Sequence, residues 1–153
     1  LRTAEDALAL QAAVADGTVD CIVTDHAPHA AHEKDCEWEI SYFGCIGLET
    51  SLPLMVTNMV RTNKLSYTGL VRAMAVNPRR ILRLEPVKIA TGYKADLTLF
   101  DPEKKVQITP EYFESKSKNS AFIGAELYGV ATDVFVDGKR VLANEIVVPG
   151  GEK

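Results

Sequence analysis

Apolar and polar positions follow two different periods along this chain, and the change occurs near Glu85-Pro86. Before that point the apolar residues recur at helical spacing, which predicts helices over residues 3–15 and 48–60 and two short helices over residues 66–84. One segment breaks the pattern, because "VDCIVTD" at residues 19–25 is a compact run rich in β-branched side chains. Such runs are typical of parallel strands that are buried on both faces.

The predicted helix ends rest on residues that cap helices. Thr3 is the predicted N-cap of the first helix, and Gly17 is its predicted stop. Ser66 is the predicted N-cap of the first short helix in residues 66–84. The Asn77-Pro78 pair predicts a break before the second short helix, because a residue that precedes proline is disfavoured in the helical conformation.

After Glu85-Pro86 the chain is typical of an all-β structure. The segment "ADLTLFD" at residues 95–101 alternates apolar and polar side chains with a period of two. In "VFVDGKRV", Asp137-Gly138 suits the two-residue turn of a hairpin. Short strands and turns are predicted within residues 87–102, 105–109, 126–142 and 146–151.

Composition narrows the classes of protein. The chain has 153 residues, of which 46% are hydrophobic and 25% charged, so it can bury a core and is not a disordered tail. A net charge of −4 argues against nucleic acid or an anionic membrane surface as partner. The sequence contains no run of about 18 apolar residues, so no membrane span is predicted. It also shows no recognisable signal peptide. Cys21, Cys36 and Cys45 lack CxxC spacing, which favours reduced thiols and a cytoplasmic location.

The residues with the clearest chemical potential are Asp25, His26 and His29. Asp25 follows the predicted buried strand, the position at which α/β barrels build active sites. Its carboxylate could ligate a metal, act as a general base, or do both. Pro28 disfavours a helix here, so Asp25 and His29 are expected on one stiff turn. The alternative is an ordinary turn with a capping aspartate and solvated histidines. One carboxylate cannot hold zinc alone, because such sites need three or four protein ligands.

Five motifs together carry a resemblance to a known family. They are "TDHAPH" at 24–29, "FGCIGLETSLPL" at 43–54, "NPRRILRL" at 77–84, "GYKADLTLFDP" at 92–102 and "SKSKNSAFIG" at 115–124. In this order they resemble the C-terminal portion of class I dihydroorotase, a member of the amidohydrolase superfamily. Hydantoinase or dihydropyrimidinase and allantoinase share the general plan and are the alternatives.

The resemblance implies an α/β fold, namely the C-terminal part of a metal-dependent (β/α)8 barrel followed by part of a small β-sandwich domain. Residues 1–85 would be the barrel segment and residues 86–153 the sandwich segment. Leu1-Arg2 would begin just after a substrate-binding asparagine, and most metal ligands would lie upstream. The parent enzyme would use two zinc ions to interconvert N-carbamoyl-L-aspartate and L-dihydroorotate in pyrimidine biosynthesis. These 153 residues alone are expected to be inactive.

The resemblance also implies roles for particular residues. Asp25 would be the catalytic proton carrier and a metal ligand, and His29 would contact the substrate carboxylate. The backbone of Phe43 and Gly44 would meet the dihydropyrimidine ring. His26 has no ligand role in the family and is expected to be structural.

Other polar groups and the partners leave alternatives open. Residues 32–34 are expected in a solvated, mobile loop, with a lid over the substrate as the alternative. Residues 115–119 are expected to form a surface loop, with phosphate binding as the alternative, and Glu49 is expected to be structural. The parent is expected to take a small-molecule substrate and to form a homo-oligomer. A further candidate partner is aspartate transcarbamoylase. An alternative to the enzyme is a non-catalytic dihydroorotase-like subunit that scaffolds aspartate transcarbamoylase.

Overall fold

The computed structural model describes residues 3–152, and the side chains of residues 3–150. The expectation for Leu1-Arg2 therefore lies outside the described residues. The helices are α1 (Ala4–Asp16), α2 (Ala31–Lys34), α3 (Leu48–Met55), α4 (Tyr67–Val71) and α5 (Asn77–Ile81). The strands are β1 (Leu97–Gln107), β2 (Glu126–Val136), β3 (Lys139–Ala143) and β4 (Ile146–Glu152). Over the described residues, no helix has the length and apolar character needed to cross a membrane.

Helix α1 confirms the predicted first helix and both of its ends. The hydroxyl of Thr3 accepts a hydrogen bond from the Asp6 amide, and the Asp6 carboxylate accepts one from the Thr3 amide, both at 3.1 Å. This reciprocal arrangement satisfies two amides that have no partner inside the helix. Gly17 ends the helix in the left-handed conformation, with φ 86°.

Helix α3 runs on into a π-helical turn at Val56–Val60, so the helix predicted over residues 48–60 is confirmed. Pro53 lies inside it and has no amide hydrogen, which leaves the carbonyl of Glu49 without its helical partner. The hydroxyl of Tyr112 donates to this carbonyl at 3.0 Å. A chain segment 63 residues away in sequence therefore completes the helix.

The predicted break at Asn77-Pro78 is wrong, because α4 and α5 are joined by a π-helical turn at Arg72–Val76. A proline ring normally clashes with the carbonyl four residues earlier. The wider π turn ends at Val76, two residues before this proline, and accommodates the ring, so Asn77 keeps helical backbone angles of φ −65° and ψ −43°. The predicted cap is confirmed, since Ser66 Oγ accepts from the Gly69 amide at 3.1 Å.

The four strands form one antiparallel sheet in the order β1-β2-β3-β4. The predicted hairpin is confirmed, with Asp137 at φ 50° and Gly138 at φ 77° between β2 and β3. Positive φ at both central residues suits the right-handed twist of the flanking strands. A second tight turn, at Asn144-Glu145, joins β3 to β4 and carries no glycine, which is why its sequence gives a weaker signal.

Two clusters of buried side chains hold the helices against the sheet. One consists of Val56, Met59, Val60, Leu65 and Leu70, and the other of Ile46, Ile108, Phe113 and Leu127. At Gly129 of β2, a Cβ would lie 2.7 Å from the Val56 side chain. The sheet backbone thus approaches the π turn more closely than any side chain would allow, and this contact fixes the helical part on the sheet.

The buried strand predicted over residues 19–25 is not formed. Residues 20–30 belong to no strand, and Val23 is 76% exposed. The segment is tied instead to the helices, through the Ile22 amide to the Ala73 carbonyl (3.1 Å) and the Asn77 side chain to the Asp20 carbonyl (2.6 Å). A parallel strand needs a neighbouring strand on at least one side, and none lies beside it in the part of the chain described.

Candidate active site

Asp25 stands at a sharp bend where the extended segment ends. Its φ of 47° is left-handed, a conformation that aspartate tolerates better than most residues with a side chain. Asp25 is exposed. The bend therefore presents a carboxylate to solvent at the end of residues 20–25, where its acid–base chemistry is accessible.

His26 caps helix α3, which confirms its expected structural role. Its Nδ1 accepts hydrogen bonds from the amides of Gly47 at 3.1 Å and Leu48 at 3.4 Å. These amides lie at the helix start and have no partner within the helix. The cap fixes the distance between the Asp25 bend and α3.

His29 directly contacts Tyr42 and Phe43, in the segment that holds the other two candidate substrate-binding residues. Its Nε2 lies 2.8 Å from the carbonyl oxygen of Phe43, and its ring stacks on Tyr42 with a centroid separation of 5.4 Å. Its Nδ1 lies 3.8 Å from Glu33 Oε2. The structure therefore brings His29 and Phe43 together.

Gly44 occupies a position that only glycine fits without strain. Its φ is 91°, and a Cβ there would lie 2.7 Å from the Cβ of Ala27. The Ala27 amide also donates to the Cys45 carbonyl at 3.0 Å. The backbone at Ala27 thus contacts the backbone at Gly44 and Cys45. The Phe43 side chain projects outward and is 92% exposed.

The loop expected over residues 32–34 is wrong, because all three residues lie in a short helix, although His32 is exposed to solvent as expected. Glu33 and Lys34 are half-buried in the short helix α2. Lys34 Nζ donates to the carbonyls of Tyr42 (2.5 Å) and Gly44 (3.2 Å), so it anchors residues 42–44, the segment that His29 also contacts. Local sequence patterns do not predict these hydrogen bonds, because the acceptors are backbone carbonyls, which every residue has.

Residues 115–119 form the expected surface loop, and two of its side chains contact the segments of the candidate site. Ser117 Oγ accepts from the His29 amide at 3.2 Å. Asn119 Nδ2 donates to the carbonyls of Ala27 and Gly44, at 3.3 Å and 3.4 Å. Sequence reasoning missed both residues, and the only signal was their place in a motif that carries the family resemblance. A cleft of about 750 Å³ opens beside them, lined in part by His29 and Lys116.

Glu49 has the structural role that was expected. Its carboxylate accepts hydrogen bonds from the amides of Glu114 at 2.7 Å and Ser115 at 3.2 Å. Burial, and to a lesser degree the nearby charge of Glu49, raises the pKa of Tyr112 above its usual value. The neutral hydroxyl therefore remains a donor to the Glu49 carbonyl.

The residues present do not form a metal site by themselves. Within residues 3–152, no group of three His, Cys, Asp or Glu side chains is placed to hold a metal ion. Zinc in proteins takes at least three protein ligands, and the bend contributes a single carboxylate. The expected metal therefore cannot be bound by these residues alone.

The helices, the exposed carboxylate of Asp25 and the attached antiparallel sheet match part of an α/β-barrel fold. The chain belongs to the Amidohydrolase family, whose sequence profile matches residues 1–141. This family is generally metal-dependent. The predicted fold class, and the resemblance to the C-terminal portion of dihydroorotase, are confirmed by the relatives that follow.

The dihydroorotase of Geotalea daltonii is 47% identical over 141 residues, which cover 92% of this chain and 33% of that protein. The dihydroorotase of Clostridium acetobutylicum is 43% identical with the same coverage. Among solved structures, the L-hydantoinase (dihydropyrimidinase) of Arthrobacter aurescens matches with a TM-score of 0.87 and 30% identity, over 95% of this chain and 34% of that one. The chain thus spans about one third of the length of its relatives.

Proposed function

We propose that this chain is the C-terminal third of a dihydroorotase that reversibly converts N-carbamoyl-L-aspartate into L-dihydroorotate. The observation that carries the proposal is the identity of 43–47% to dihydroorotases over 92% of the chain. The contact between His29 and Phe43 supports it, because it gathers the groups expected to bind the substrate. Pyrimidine biosynthesis in the cytoplasm is the corresponding setting.

Asp25 is the proposed proton carrier. In the hydrolytic direction it takes a proton from the attacking water and gives it to the leaving amide nitrogen as the ring opens. An exposed carboxylate suits this role, since substrate and water have access to it. Asp25 is also the one residue of this chain proposed as a metal ligand. Zinc is the proposed metal of the whole protein, with its other ligands outside this chain.

His29, Phe43 and Gly44 are the proposed substrate-binding groups. The imidazole donates to the substrate carboxylate, while the backbone of Phe43 and Gly44 contacts the amide edge of the ring. Lys34, Lys116 and Lys118 line the cleft beside His29 and add positive potential, which favours an anionic substrate. Residues 1–85 and 86–153 are proposed as the barrel and sandwich segments, so His29, Phe43 and Gly44 all belong to the former.

Two alternatives carry less support. A hydantoinase-type activity is less favoured, because the identity to the L-hydantoinase is 30%, well below that to the dihydroorotases. A non-catalytic subunit that accompanies aspartate transcarbamoylase is disfavoured by the presence of Asp25 and His29, which such a subunit has no need to keep. A homo-oligomer is the proposed assembly of the whole protein.

The test uses the full-length protein that contains these residues, supplied with zinc. Ring opening of dihydroorotate is measured beside that of dihydrouracil, hydantoin and allantoin. We expect the highest kcat/KM for dihydroorotate, and its loss in Asp25→Ala. Preference for any of the other three compounds would overturn the proposal, as would a wild-type protein without cyclic amidase activity.

The polypeptide of residues 1–153 alone is expected to show no turnover, since its described part holds no cluster of three side chains that could bind a metal ion. The purified polypeptide is assayed for dihydroorotate hydrolysis with added zinc. Turnover that Asp25→Ala abolishes would contradict this expectation.

A further inference from the structure

We propose that Asn119 is a positioning residue that sets the spacing of the two segments expected to bind the substrate, residues 27–29 and 43–44. The inference rests on the proposed function and adds a specific residue to it. Asn119 is not offered as a catalytic residue, because it acts on the backbone of these segments.

One side-chain amide reaches both segments at once. Asn119 Nδ2 carries two hydrogens, and it donates to the Ala27 carbonyl at 3.3 Å and to the Gly44 carbonyl at 3.4 Å. Ala27 lies two residues before His29, and Gly44 directly follows Phe43. A change in either hydrogen bond therefore alters the separation of the imidazole and the Phe43 backbone.

The orientation of the amide is determined by its neighbour. Ser117 Oγ accepts from the His29 amide at 3.2 Å, and the single hydrogen of this hydroxyl is donated to Asn119 Oδ1. Because Oδ1 is engaged in this way, Nδ2 faces the two carbonyls. Ser117 therefore connects the position of His29 to that of the Asn119 side chain.

The backbone of Asn119 is anchored to a rigid part of the fold. Its carbonyl accepts from the Ile46 amide at 3.1 Å. Ile46 is 1% exposed and packs in the cluster with Ile108, Phe113 and Leu127, which joins α3 to the sheet. Asn119 thus transmits the position of the packed core to two loops that have no strand partners of their own.

The decisive variant is Asn119→Asp in the full-length protein. It keeps the size of the side chain but replaces the donor with a carboxylate that faces two carbonyl oxygens. We expect KM for dihydroorotate to rise about tenfold or more, with a smaller change in kcat, because ground-state contacts are displaced. Asn58→Asp is the matched control, since Asn58 Nδ2 donates to one carbonyl, that of Leu54, within its own helix.

Hydrogen–deuterium exchange provides a readout that does not depend on activity. Peptides covering residues 26–30 and 42–45 should exchange faster in Asn119→Asp and not in Asn58→Asp. Ser117→Ala is a milder change. It should raise KM about threefold, because the Asn119 side-chain amide loses the hydrogen bond that orients it. Unchanged exchange in both segments would overturn the inference, whatever compound the wild-type protein hydrolyses. If the wild type is inactive on dihydroorotate but Asn119→Asp shows the expected faster exchange, only the proposed function is overturned.

Discussion

The imidazole of His29 and the carbonyl oxygen of Phe43 are joined by a hydrogen bond of 2.8 Å that spans 14 positions of the chain. A carbonyl oxygen only accepts, so Nε2 of His29 carries the hydrogen. The stacked ring of Tyr42 fixes the plane of the imidazole. A substrate carboxylate that bound at Nε2, as proposed, would take the place of the Phe43 carbonyl and would couple substrate binding to the position of residues 43–44.

His29→Ala should therefore weaken substrate binding more than it slows the chemical step. In the full-length protein we expect KM for dihydroorotate to rise about 10- to 100-fold, because the substrate carboxylate loses a hydrogen-bond donor. Steady-state kinetics provide the measurement. His32→Ala is the matched control, since His32 is exposed in helix α2, three positions further along the chain. An unchanged KM in His29→Ala would remove this residue from the substrate site.

Asp25→Asn should have the opposite kinetic signature. A proton carrier acts mainly in the transition state, so kcat should fall by about 10²- to 10⁴-fold while substrate affinity changes little. Asp35→Asn, which alters an exposed carboxylate ten positions later, should leave kcat near the wild-type value. If kcat of Asp25→Asn stayed within about threefold of wild type, the assignment of proton transfer to Asp25 would be wrong.

Gly44→Ala should disturb the loop through a steric clash as well as through backbone strain. The left-handed φ of 91° costs any non-glycine residue about 1 kcal/mol or more, and the new Cβ would meet Ala27 at 2.7 Å. Gly92→Ala separates the two effects, because Gly92 has a φ of 89° with open space around its Cβ position. We expect a larger drop in melting temperature and in kcat/KM for Gly44→Ala. Equal effects of the two variants would refute the clash.

The features that sequence predicted well are those that local chemistry determines. Thr3, Gly17 and the Asp137-Gly138 turn act through neighbours a few positions away, so their roles follow from residue type and spacing. The segment at residues 19–25 was mispredicted because a strand depends on partners far along the chain. Ser117 was missed for the same reason, since its contact with His29 joins residues 88 positions apart.

The motif resemblance supplied what local patterns could not. It assigned roles to Asp25 and His29 and added Phe43 and Gly44 as candidates, and the structure places His29 against Phe43. The break predicted at Asn77-Pro78 failed because a π turn absorbs the proline, and no local rule distinguishes that outcome from a helix end.

The sheet should show acid sensitivity that depends on Asp133. Hydrogen bonds from the Arg140 guanidinium, followed by one from Thr132, lower the pKa of Asp133 below its ordinary value of 3.8. A lowered pKa means that the carboxylate stabilises the fold above the ordinary value, and that this contribution is lost as pH falls through the lowered one. In full-length protein, melting temperature measured from about pH 6 down to pH 3 should fall less steeply for Asp133→Asn. Identical slopes for this variant and wild type would contradict the linkage.

The last prediction concerns residues 1–153 expressed as a separate polypeptide. Several large apolar side chains are exposed in the described part, among them Val23 at 76% and Ile89 at 89%. Val23 lies in "CIVT", an uncharged, extended segment without a strand partner, which is the profile of an edge that pairs with other chains. We therefore expect self-association, or retention of the rest of the protein when it is co-expressed. Size-exclusion chromatography with light scattering distinguishes these states, and Val23→Lys should reduce the association by placing a charge on the edge. A compact monomer that melts cooperatively would show that these surfaces need no partner.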